Sequence, residues 1–146
     1  MSEKPAPKKL KLKVENKVDY KIIGISSHEN DYRMVWSINE HLGMQFTRVD
    51  NLLVHDIKTG VDMAFSRYEF NDEERYIRYS LISNRCADGF LFPEVKNMDF
   101  ILQIIGELSP GEFKALEKSV KSVDIISAAY ILPSGKLKGI ANKLIE

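Results

Sequence analysis

Apolar and polar residues alternate strictly over Lys9-Leu10-Lys11-Leu12-Lys13-Val14, the period of a half-buried strand. An outward row of lysines suits a sheet edge, where charge discourages edge-to-edge pairing. Glu15-Asn16-Lys17 reads as a turn, and Tyr20 to Ser26 as a more buried strand. The period then changes to that of a helix, from Ser27 or His28 to about His41. Glu29 and Asp31 lie in its first turn, where carboxylates favour the positive end of the helix dipole, and Gly43 is the expected stop. Tyr32, Val35, Trp36, Asn39 and Leu42 fall at helical spacing, with Met34 and Ile38 widening the arc. This arc predicts Trp36 buried against the sheet beside Phe113 or Ile23.

The middle of the chain carries strand signals over 45–50, 52–57, 61–70 and 74–83. Lys58-Thr59-Gly60 fits a tight hairpin turn, and Asn71-Asp72-Glu73 a second one. A longer connection, 84–97, passes through Asp88-Gly89 and Pro93. Met98 to Gly106 reads as a buried strand. Ser109-Pro110-Gly111-Glu112 is a strong helix start: a capping serine, proline at the first helical position and glutamate at the third. Phe113, Leu116, Val120 and Val123 form that helix's apolar stripe. A strand over 124–132 ends at Pro133, and Leu137, Ile140, Ala141 and Leu144 imply a short closing helix.

The order is β-β-α, four strands, then β-α-β-α. Its central hairpins predict an α+β fold: a largely antiparallel sheet of about six to eight strands, two longer helices and a short C-terminal helix. Residues 1–8, rich in Pro and Lys, read as a disordered basic tail, and 9–146 as one domain. Val18-Asp19-Tyr20 before Ile22-Ile23-Gly24, and Met98-Asp99-Phe100 before Ile104-Ile105-Gly106, give a faint internal echo of a strand–helix unit.

Composition narrows the function more than it identifies it. The 146 residues carry 21 basic and 21 acidic side chains, so the chain as a whole is no polycation. The charge is segregated: net +4 over residues 1–21, −6 over 22–109 and +2 over 110–146. A lone Cys86 fits a reducing cytoplasm, the N-terminal stretch lacks the apolar core of a secretory signal, and no apolar run is long enough to span a bilayer. The expected location is the cytoplasm.

The stretch Phe92-Pro93-Glu94-Val95-Lys96-Asn97-Met98-Asp99-Phe100 resembles the signature of the bacterial IPExxxVDY family. Pro93, Glu94 and Asp99 match outright. Phe92, Met98 and Phe100 stand where that pattern has Ile, Val and Tyr, so a tyrosine hydroxyl is missing. Ile23-Gly24-Ile25-Ser26-Ser27-His28, Asp31-Tyr32-Arg33 and Trp36 are similar to the family's N-terminal half. The resemblance runs from about residue 9. That family carries no assigned activity, so the resemblance implies no mechanism.

Catalytic patterns are sparse. The sequence contains no Gly-rich phosphate loop. His28, His41 and His55 lie 13 and 14 residues apart, which fails the helical zinc spacing; neither a metal nor a cofactor is expected. Cys86 follows Arg85, yet no base stands beside it in sequence. Arg67-Tyr68 and Arg75-Tyr76-Ile77-Arg78-Tyr79 place arginines and rings on neighbouring strands, as a base-stacking sheet requires, although Glu69, Asp72, Glu73 and Glu74 would repel phosphates. The leading reading is a non-catalytic protein acting through a protein partner. Its candidate structural or interaction residues are Asp31, Tyr32, Arg33, Pro93, Glu94 and Asp99. Nucleic-acid binding through the Arg/Tyr strands is the alternative, and an enzyme the third. If strands 20–26 and 98–106 run antiparallel, Glu94 and Arg33 are expected to meet and clamp the 84–97 connection against the helix.

Overall fold

The computed structural model describes residues 20–133. Eight strands and two α-helices occur among them: β1 (Tyr20–Ser26), α1 (Asp31–Leu42), β2 (Thr47–His55), β3 (Asp62–Asp72), β4 (Ile77–Ser83), β5 (Arg85–Cys86), β6 (Gly89–Phe90), β7 (Phe100–Ile105), α2 (Pro110–Lys121) and β8 (Ala128–Leu132). A 3-10 turn covers Pro93–Val95. The expected tail 1–8, the strand over 9–14 and the closing helix over 137–144 lie outside the described residues.

Six strands form one antiparallel sheet in the order β2-β3-β4-β7-β1-β8, and β5 and β6 form a separate small hairpin. Strand alternation divides the sheet's apolar residues between two cores. Ile23, Ile25, Tyr68, Tyr79, Leu81, Leu102 and Ile104 face Met34, Val35 and Ile38 of α1 and Phe113 and Val120 of α2. On the opposite face Ile22, Phe65, Ile82 and Ile101 pack against Leu91, Phe92 and Met98 of the connection after β4. Gly24 opens space there: a Cβ at that position would lie 2.7 Å from the Met98 sulfur, so a side chain would push Met98 off β1.

Several boundaries move for physical reasons. α1 begins at Asp31, with Asn30 as its cap, because Ser27 is committed elsewhere: its Oγ donates to the Ile125 carbonyl at 2.6 Å. Segments 45–50 and 52–57 are one edge strand, interrupted by a bulge between Val49 and Leu52. That irregularity bends an edge that would otherwise be open to pairing. β3 runs on to Asp72, so the second turn falls at 73–76, where Tyr76 takes a φ of 57°. β8 starts at Ala128, four residues later than the apolar run suggests.

Trp36 overturns the packing expected for α1. Its indole is 63% exposed and Tyr32 is 68% exposed, while Met34, Val35 and Ile38 are buried. At about 100° per residue, Met34, Val35, Ile38 and Leu42 share one arc, and Tyr32 and Trp36 fall on the opposite side. The helix carries more apolar residues than one contact stripe can bury, and the sheet takes the aliphatic set.

Candidate functional site: a clasped connection and an aromatic helix face

The family-like segment 92–100 crosses between β6 and β7, and backbone groups hold most of it. Asn84, wholly buried at the end of β4, is the hub. Its Nδ2 donates to the carbonyls of Met98 at 2.8 Å and Val95 at 3.2 Å, and its Oδ1 accepts from the Phe92 N–H at 2.7 Å. Its own carbonyl accepts from the Leu91 N–H and its N–H donates to the Asp99 carbonyl, both at 2.9 Å. One side chain thereby fixes a loop that has few regular partners, as buried backbone groups require.

Asp99 closes the other end. Its Oδ2 accepts from the Ser27 N–H at 2.8 Å, its N–H donates to the Ile25 carbonyl at 2.7 Å, and its Oδ1 pairs with the Arg85 guanidinium. Ser26 Oγ donates to the Asn97 carbonyl, and the Ser26 carbonyl accepts from the Ser127 N–H at 2.9 Å. The two family-like segments therefore meet at Ser26, Ser27 and Asp99, next to the loop that enters β8. Their polar residues pin backbone to backbone.

Glu94 and Arg33 do not form the expected clamp. β1 and β7 are antiparallel neighbours as anticipated. Arg33, however, pairs with Glu29 at 3.4 Å on the exposed side of α1. Glu94 follows Pro93 in the 3-10 turn, exposed, and lines a surface cavity of about 520 Å³ with His55, Lys58 and Asp88. The role expected of Glu94–Arg33 belongs instead to Asn84 and to Asp99 with Arg85. Asn84 carries no sequence signal: a polar residue at a strand end is ordinary, and only the folded loop shows that five backbone groups converge on it.

The Arg/Tyr strands are divided by the same alternation. β3 and β4 are neighbours, but Tyr68 and Tyr79 point into the helix-side core, 9% and 6% exposed. Burial, followed by the nearby Asp31 carboxylate, pushes the Tyr68 phenol up, and its hydroxyl donates to Asp31 Oδ2 at 3.3 Å. Burial first and Asp72 second also raise Tyr79. Arg78 leaves on the other face, and Arg75 pairs with Glu112 at 2.5 Å. Tyr76, at the turn, is the one ring of the set that faces solvent.

Elsewhere, His55 Nδ1 lies 2.6 Å from Asp62 Oδ1 on the exposed end of the β2–β3 hairpin. Among the described residues, no three His, Cys, Asp or Glu side chains converge as a metal site would, and no helix is long and apolar enough to cross a membrane. Among the described residues, two exposed aromatic side chains share the outer side of α1. There Tyr32 and Trp36 stand one turn apart, flanked by the Arg33–Glu29 pair and by Glu40. No protein-family profile and no curated protein matches the chain.

Proposed function

We propose that the protein acts without catalysis, through protein–protein contacts made by the outer face of α1. The single observation that carries this reading is the exposure of Trp36 together with Tyr32 on one side of a rigid helix. Trp, Tyr and Arg are the residues most enriched at the centres of protein interfaces, because they bury large area for few rotatable bonds. Arg33, held toward Glu29, adds a charged edge to the same stripe. The helix itself is fixed by Asn30 at its start and, near its end, by Asn39, which brackets the Phe46 backbone with bonds of 2.9 and 3.2 Å. A partner would thus meet a preformed surface. The bonds of Asp99 to the Ser27 N–H and to Arg85 support a structural role for that residue, whereas the exposure of Tyr32 and Arg33 on α1 supports an interaction role for these two.

Affinity capture from the native cytoplasm tests this reading. A protein retained by the wild-type chain and lost with Tyr32→Ala/Trp36→Ala supports it. An unchanged set of captured proteins with that variant overturns it. The nucleic-acid alternative is less supported, since two of its proposed stacking rings, Tyr68 and Tyr79, are in the core. Titration of RNA and DNA against salt measures it directly: affinity falling steeply with salt and insensitive to Trp36→Ala would favour it over the helix.

A further inference from the structure

Ile57 stands at the crest of the β2–β3 hairpin and is 89% exposed, the most of any large apolar side chain among the described residues. The turn that carries it is fixed. Asp56 Oδ1 accepts from the Lys58 N–H at 3.0 Å, the Gly60 N–H donates to the Asp56 carbonyl at 2.7 Å, and Gly60 takes the positive φ of 74° that the turn needs. An apolar knob held this way loses little freedom on being covered. Beside it lies the surface cavity of about 520 Å³ that Glu94 also lines. Val54, Met63 and Leu91, all buried, line it together with Phe90 and Pro93. Its charged residues include Lys58 from the turn and Asp88 and Glu94 from the connection, all exposed. None of these three side chains forms an ion pair among the described residues.

We propose that this patch pairs with a second copy of the chain about a two-fold axis beside Ile57. A two-fold interface uses the same surface on both molecules, so that surface must complement itself. This one holds every half of the match: a knob and an apolar hollow, an unpaired cation and two unpaired carboxylates. The rotation carries each Ile57 toward the other copy's hollow, and each Lys58 toward the other copy's Asp88 and Glu94. An unrelated partner needs only one half of such a set, whereas a second copy uses all of it. The patch is also distinct from the aromatic stripe of α1. Val54, Met63 and Leu91 belong to the core on the sheet face opposite that helix, so pairing here leaves Tyr32 and Trp36 free for another partner.

Equilibrium sedimentation of the full chain between about 10 μM and about 1 mM reads the pairing. A patch limited to one turn and one loop is small beside the roughly 800 Å² per partner of stable complexes, so a dimer dissociating at about 100 μM is expected. Ile57→Asp is expected to abolish the dimer in this range. Lys58→Glu and Glu94→Lys are each expected to weaken it about tenfold, because both copies of the ion pair become repulsive. An equimolar mixture of those two variants is expected to regain the wild-type affinity, since each new glutamate then faces a new lysine. A chain that stays monomeric throughout the range overturns the proposal. So does a dimer indifferent to Ile57→Asp, or a mixture of the charge variants that stays as weak as either alone. All three positions are exposed, and should Ile57→Asp still lose its fold by circular dichroism, the wild-type titration and the charge mixture decide.

Discussion

Asn84 concentrates stability in one side chain. Removing its carboxamide leaves the Phe92 N–H without its acceptor and the Met98 carbonyl without its donor, all of them buried. Asn84→Ala is expected to cost about 3 kcal/mol or more, at about 1–3 kcal/mol for each stranded group, read as a lower urea midpoint. Gln103 is the opposite case, a buried amide that satisfies nothing. Gln103→Leu keeps the volume, removes the unmet polar atoms, and is expected to raise stability by about 1 kcal/mol in the same measurement. Trp36→Ala separates surface from core. Loss of a buried tryptophan costs about 3–5 kcal/mol, whereas an exposed one should change stability by no more than about 0.5 kcal/mol.

At the scale of elements, the best-determined boundary is the start of α2. Ser109 Oγ accepts from the Glu112 N–H at 3.1 Å, and Glu112 Oε1 accepts in return from the Ser109 N–H at 3.0 Å. Ser109→Ala should cost about 1 kcal/mol. The bond from the Ser109 N–H, followed by that from the Arg75 guanidinium, holds the Glu112 carboxyl below its ordinary value. Its contribution is therefore complete above the ordinary carboxylate range, about pH 4–5, and is lost as the pH falls through the lower folded value. Glu112→Gln should flatten the acid limb of the stability curve and leave its neutral region with the same slope. This helix was readable from residues alone because its signal is local: cap, proline and glutamate within four positions. The hairpin at 58–60 and the antiparallel pairing were readable for the same reason. The start of α1 was not, since the Ser27 hydroxyl is claimed by Ile125, almost a hundred residues away. The buried face of α1 is not legible in the sequence because seven positions fit one broad arc, and only contact with the sheet separates Met34, Val35 and Ile38 from Trp36. Of the candidate residues, Asp99 and Pro93 lie in the clasp and Tyr32 and Arg33 on the aromatic face. The Asn84 hub had no pattern to announce it.

At the scale of the whole sheet, described strands that neighbour each other in sequence pair on one side of it only. β2, β3 and β4 form a meander, but β1 sits between β7 and β8. Its register partners are Phe100 to Ile105 on one edge and Ala128 to Leu132 on the other. A chain ended after Glu107 keeps β7 but lacks α2 and β8, and with them Phe113, Val120, Val123, Ile126 and Ala129 of the helix-side core. Such a fragment is expected to show no cooperative thermal transition by circular dichroism. During synthesis the same topology imposes an order of events. Ile22-Ile23-Gly24-Ile25 leaves the ribosome first among the described strands, yet its neighbours, Phe100–Ile105 and Ala128–Leu132, follow more than seventy and a hundred residues later. At about 5–20 residues per second, that apolar strand waits on the order of ten seconds with both edges open. The sheet can close around β1 only once β8 has been made, so the nascent chain should engage a holding chaperone, and stop codons ahead of β8 should yield aggregation instead of a smaller folded product.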